Sequence, residues 1–142
     1  MLRRMGLLCG ALLVGVIVLS GVALAKDIRG TFGRDTLIGT NQMDRIYGLG
    51  AADVILAKGG NDDCYGGSGA DEIRCGTGND RVDGGFGEDD LFGGGGNDTI
   101  LAADGQVDLV DCGEGDDTAY VDGLDDPVLN CEHVFEAVAQ QM

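Results

Sequence analysis

The stretch GGSGADEIRCGTGNDRVDGGFGEDDLFGGGGNDTIL, Gly66 to Leu101, puts glycine at almost every position where a packed core would need bulk, and spaces its aspartates regularly. Read in nines it becomes GGSGADEIR, CGTGNDRVD, GGFGEDDLF and GGGGNDTIL, and the same frame runs back to Gly30 through AKGGNDDCY, GLGAADVIL, GTNQMDRIY and GTFGRDTLI. These eight blocks need no gap, and their sixth position is always Asp: Asp35, Asp44, Asp53, Asp62, Asp71, Asp80, Asp89 and Asp98. Their eighth position is always apolar: Leu37, Ile46, Ile55, Cys64, Ile73, Val82, Leu91 and Ile100. One added residue then breaks the phase, and CGEGDDTAY (Cys112 to Tyr120) resumes it with Asp117 sixth and Ala119 eighth. Self-similarity at a short fixed period is the mark of a solenoid.

Each block reads as a glycine-rich turn of six residues followed by a three-residue strand whose middle side chain points inward. A turn after every block reverses the chain, so two blocks make one coil and strands 18 residues apart stack in one sheet. The expected fold is all-β: a parallel β-roll, or two-sheet β-solenoid, with a thin interior of Leu, Ile and Val. Stacked turns bring Asp35, Asp53, Asp71 and Asp89 into a column on one flank, and Asp44, Asp62, Asp80, Asp98 and Asp117 into a column on the other. Coils about 4.8 Å apart make each column a ladder of carboxylates that repel one another without counter-charge. A hard dication taking six to eight oxygens suits the gap between two such turns, and flexible, carbonyl-rich loops favour calcium over magnesium.

Composition points the same way. Residues 1–25 carry Arg3 and Arg4, the apolar run GLLCGALLVGVIVL and the A-x-A element Ala23 to Ala25, the order of a secretory signal cleaved after Ala25. An uncleaved anchor is the alternative, although the run is short for a bilayer span. Cleavage would take the formal charge from −16 to −18. That excess argues against nucleic acid and, once the signal is gone, against a membrane surface as partners. So much like charge with so few large apolar residues predicts an unfolded chain in plain water, and cations as the remedy.

The consensus G-G-x-G-x-D-x-U-x characterises the calcium-binding repeats of RTX proteins, which this chain resembles over residues 30–120, with full matches at Gly66 to Asp71, Gly84 to Asp89 and Gly93 to Asp98. The resemblance implies a β-roll holding several Ca²⁺ between successive turns, with the nine sixth-position aspartates, Asp35 through Asp98 and Asp117, as ligands. Gaps between Asp62 and Asp80, Asp80 and Asp98, and Asp71 and Asp89 look best, followed by Asp53 with Asp71; the spacing of 19 from Asp98 to Asp117 counts against that pair. Early blocks depart from the pattern, with Thr31 and Thr40 at the second position, Gln42 and Ala51 at the fourth, and Ala57 with Lys58 at the first two. Those turns are expected to bind calcium poorly or to serve as an N-terminal cap. RTX toxins and proteases of type I secretion carry a C-terminal export signal; with its N-terminal one, this chain looks more like the short, freestanding repeat proteins of bacteria that export through Sec.

Beyond the signal lie Cys64, Cys75, Cys112 and Cys131, an even count that suggests two disulfides in an exported chain. Zinc is disfavoured, since there is no C-x-x-C and His133 is the only histidine. Cys112 with Cys131 would pin the tail over the end of the roll, leaving Cys64 with Cys75; Cys64 could instead be a small buried hydrophobe. EHVFEAVAQQ in the tail reads as a short helix with Val134, Phe135 and Val138 on one face, covering the last coil. Outward positions hold Ile38, Leu56 and Phe92 on one sheet and Tyr47, Tyr65 and Leu101 on the other, a partner-binding stripe or simply β-favouring residues.

The expected organisation is a signal peptide (1–25), a calcium-binding β-roll (26–120) and a C-terminal cap (121–142). Function is expected to be that of a secreted structural or interaction module rather than an enzyme, since no nucleophile motif or H-E-x-x-H is present. A secreted effector or small hydrolase built on the roll, and an adhesin-like module with a protein or cell-wall partner, are the alternatives.

Overall fold

The computed structural model describes residues 25–125 and 127–137. Residues 1–24, on which the expected signal falls, and Val138 of the expected tail helix lie outside that range. Four short strands come first: β1 (Asp27–Arg29), β2 (Thr36–Ile38), β3 (Arg45–Tyr47) and β4 (Val54–Leu56). Longer ones follow in β5 (Asp63–Ser68), β6 (Glu72–Thr77), β7 (Arg81–Phe86) and β8 (Asp90–Gly95). The chain ends with β9 (Thr99–Leu101), β10 (Leu109–Glu114), β11 (Thr118–Val121), β12 (Val128–Leu129) and β13 (His133–Glu136). Odd-numbered strands form a seven-stranded sheet and even-numbered strands a six-stranded one, each in chain order. Every pairing is parallel, and Ile55 lies beside Ile73 as Cys64 lies beside Val82, a step of 18 residues. The molecule is the two-sheet parallel β-roll that the nonapeptide period implies.

Between the sheets runs the narrow core. Ile28, Ile46, Cys64, Val82, Ile100 and Ala119 enter it from one sheet, and Leu37, Ile55, Ile73, Leu91 and Val110 from the other. A second inward row lines the bend into each turn: Ala57, Cys75, Ala102, Cys112 and Val121, at the first position of their blocks. The strands are therefore longer than a three-residue reading allows. In β5 to β8 and in β10 they run through the first three positions of the next block, with Gly67 beside Gly85 and Gly76 beside Gly94. Glycines that read as turn are extended strand, because their amides and carbonyls meet the neighbouring coil.

Cys112 is bonded to Cys131, with Cα atoms 5.2 Å apart, a link of the kind that contributes about 3 kcal/mol by restricting the unfolded chain. Cys64 and Cys75 are unbonded thiols facing each other across the core, with Sγ atoms 3.1 Å apart. The tail departs from its helical reading: His133–Glu136 is strand β13, paired in parallel with β11, and Val128–Leu129 extends the other sheet. The open edge of a parallel sheet offers unpaired backbone groups along a whole strand, and satisfying them outweighs the weak helical preference of EHVFEAV. On the outer surface, side chains in register stack along the roll. Arg29 lies over Tyr47, Tyr47 stacks on Tyr65 at 5.0 Å, and Tyr120 stacks on Phe135.

From the third block onward, between Ala51 and Gly115, the fourth position of the repeat takes the left-handed backbone region whether or not glycine occupies it. Gly78 has φ of 135° and Ala51 has φ of 67°. The side chain at Ala51 is held where L-residues are penalised by roughly 1–2 kcal/mol. Ala51→Gly should therefore raise stability by about 0.5–1 kcal/mol, whereas Gly78→Ala, whose Cβ would collide with the carbonyl of Gly60, should lower it by more. Chemical denaturation of both variants in calcium checks the pair of opposite signs.

Candidate metal centre

The sixth-position aspartates stand on the two flanks of the roll, each at the turn that leads into a strand. They are joined by a repeated hydrogen bond in which the backbone N–H of one aspartate donates to Oδ1 of the aspartate on the next coil. On one flank the chain of bonds runs from Asp35 to Asp53, Asp71, Asp89 and Asp108, each 2.7–2.8 Å long. On the other it runs from Asp44 to Asp62, Asp80, Asp98 and Asp117, also at 2.7–2.8 Å. Lys26 begins the second series by donating its N–H to Asp44, and Asp125 and Glu132 continue the two series at the far end.

All nine aspartates expected from the sequence fall in these columns. Asp117 is included despite its spacing, since Thr118 pairs with Thr99 and the extra residue is taken up elsewhere. Asp108, Asp125 and Glu132 were not anticipated. Asp108 belongs to the ten-residue block AADGQVDLVD, whose ending D-L-V-D keeps the pattern of Asp followed two residues later by an inward apolar residue. Reading that block with the insertion in its turn would have found it. Asp125 and Glu132 lie in a tail with no repeat to mark them.

What distinguishes these carboxylates is the second oxygen. Oδ2 of Asp53, Asp62, Asp71, Asp80, Asp89, Asp98, Asp108 and Asp117 is buried without any hydrogen-bond partner. Each of these residues is 3 % exposed or less. An unpaired buried carboxylate oxygen is costly, and eight in two columns form a pattern that calls for positive charge. The electrostatics agree. Burial, with like-charged neighbours adding to it, pushes Asp80 and Asp108 up to about 7. The same causes push Asp62, Asp89 and Asp98 up to about 6, against the N–H bond to Oδ1, which favours the charged form.

Among the described residues no three His, Cys, Asp or Glu side chains converge on one point. Carboxylates strung one per coil can supply only part of a shell, and the rest must come from the peptide carbonyls of the glycine turns. Gly66 shows how close these groups lie: a side chain there would run into both Oδ2 of Asp71 and the carbonyl of Gly84. Such an all-oxygen donor set, anionic and rich in carbonyls, fits a hard cation of calcium's size and coordination number.

A β-roll whose turns present stacked, half-satisfied carboxylates defines a calcium-binding repeat module. Residues 29–64 and 65–100, half of the chain, match the family described as RTX calcium-binding nonapeptide repeat (4 copies), and the chain belongs to that family. No curated protein and no solved structure matches it significantly. Among the described residues no helix is long and apolar enough to cross a membrane.

Without metal, the raised carboxyls make the fold acid-stabilised. Each binds its proton more tightly in the folded than in the unfolded state, so its contribution is complete below about pH 4 and is lost as pH rises through the folded values near 6 and 7. Circular dichroism in EDTA should show more β-structure at about pH 5 than at pH 8, and the calcium midpoint should rise as pH falls over that interval because protons compete for the same oxygens.

Proposed function

We propose that this chain is an exported calcium-binding module whose folding outside the cell is driven by Ca²⁺ held between successive turns. The carrying observation is the set of eight buried Oδ2 atoms without partners. On each flank four such aspartates leave three gaps between neighbouring coils. Asp53, Asp71, Asp89 and Asp108 would hold three ions on one flank, and Asp62, Asp80, Asp98 and Asp117 three on the other, with turn carbonyls completing each shell. Bound calcium supplies charge neutralisation; the chain's own part is to space the carboxylates, orient them through Oδ1 and exclude water beneath them.

Export through residues 1–25, with cleavage after Ala25, places the chain where calcium is near millimolar, the range in which extracellular calcium modules bind. The same setting is oxidising, in keeping with the Cys112–Cys131 bond. Low calcium inside the cell would keep the chain unfolded and translocatable. A structural or interaction role follows more naturally than catalysis: a glycan hydrolase needs two carboxylates open to substrate, and the partnerless ladder carboxylates are buried.

The test is far-UV circular dichroism of residues 26–142, oxidised, first in EDTA and then through calcium, with magnesium as control. A cooperative coil-to-β transition specific to calcium is expected, with a midpoint of about 10⁻⁴–10⁻³ M that Asp80→Asn raises. Equal β-content in EDTA and in calcium would refute the reading.

A further inference from the structure

The first two turns differ from all later ones at the atom where calcium would bind. In the turn Gly39–Asp44, Oδ2 of Asp44 accepts two hydrogen bonds from Thr40, from its backbone N–H at 2.6 Å and its hydroxyl at 2.9 Å. The Thr40 oxygen in turn accepts from the N–H of Gln42 at 3.1 Å, which sets the hydroxyl hydrogen toward the carboxylate. With Lys26 donating to Oδ1, Asp44 has three donors and is 1 % exposed. Thr31 repeats the arrangement one turn earlier: its N–H and hydroxyl both donate to Oδ2 of Asp35, and its oxygen accepts from Gly33.

The backbone explains why the turns from Gly48 to Asp98, and the one from Cys112 to Asp117, cannot do this. Their second position lies at positive φ in Leu49, Lys58, Gly67, Gly76, Gly85, Gly94 and Gly113. Where the path is clearest, the N–H of Leu49 donates to the carbonyl of Gly66 on the next coil, leaving Oδ2 of Asp53 unpartnered. Thr31 and Thr40 do not take positive φ, a region that β-branched residues strongly avoid. The branched side chain thus keeps the turn on a path that aims both donors at the carboxylate.

We propose that Thr31 and Thr40 take the place of a cation in the first two turns. These turns are closed to calcium by threonine at the second position, and ions occupy only the gaps between turns from Gly48 onward. This rests on the calcium-dependent reading above and adds a rule to it: within one repeat array, a glycine-to-threonine change at the second position converts a metal-binding turn into a metal-free one.

Counting bound calcium by native mass spectrometry on residues 26–142, beside calcium-titrated circular dichroism, tests it. Asp44→Asn should bind as many ions as the wild type, with a midpoint within about twofold, whereas Asp80→Asn should lose at least one ion and shift the midpoint by about tenfold or more. Thr40→Gly, which frees the backbone and removes the hydroxyl, should add an ion; Thr40→Ser, which keeps the hydroxyl, should not. Loss of an ion with Asp44→Asn, or a folded Thr40→Gly with the wild-type count, would overturn the inference while leaving calcium-dependent folding intact. A wild type that takes up no calcium would overturn both.

Discussion

The rest of the structure hangs on a division of labour within each column carboxylate from Asp53 onward. Oδ1 is committed to a backbone N–H one coil away, as from Asp71 to Asp89 or from Asp62 to Asp80, and that bond sets the rise from coil to coil on both flanks. Committing it brings the carboxylate under the surface and leaves Oδ2 there without a partner. One geometry therefore does two things that oppose each other: it knits the coils together and it loads the interior with charge. A proton or a cation can relieve the second effect without undoing the first, which is why the fold and its metal requirement have the same origin.

The core shows why that relief cannot come from elsewhere. Each block adds one aliphatic or small side chain at its eighth position and a glycine, alanine or cysteine at its first, with Val121 the larger exception near the end. Burying so little apolar area per nine residues leaves a thin margin over the entropy of ordering them. The two ends have the further difficulty that a terminal coil has one neighbour instead of two. Different devices meet it. At the N-terminal end Thr31, Thr40 and Lys26 satisfy the first carboxylates with hydrogen bonds. At the other end the Cys112–Cys131 bond ties the last strands to the roll, and Glu132 closes its column by accepting from the N–H of Asp117.

Much of this was legible in the sequence because the repeat is local and its two invariant positions have separate physical meanings. Asp at six and an apolar residue at eight placed the flanks, the inward row and the step of 18 residues between stacked strands. Features that depend on the neighbouring coil were not legible. Gly66 and Gly67 read as turn, yet they lie in β5, because their pairing partners are a coil away. EHVFEAV carries a helical spacing, yet its His133–Glu136 part is strand because β11 presents an open edge. Thr40 read as a departure from glycine; that its hydroxyl reaches Asp44 follows from the turn's backbone path, which no residue pattern displays.

The phase break after Leu101 shows which regularity is fundamental. Counting residues, the step from Asp98 to Asp117 is one too long, as is that from Asp89 to Asp108. Counting coils, neither is displaced: the N–H of Asp98 reaches Oδ1 of Asp117 at 2.7 Å, and that of Asp89 reaches Asp108 at 2.8 Å. The added residue is absorbed in the outer turn around Asp104 and Gly105, where Asp104 accepts from the N–H of Gly87 and no core side chain is moved. Both columns span the same added residue, so one insertion lengthens one step on each flank. Amide-to-carboxylate pairing between coils therefore sets the register, and the nonapeptide period is the commonest chain length that satisfies it.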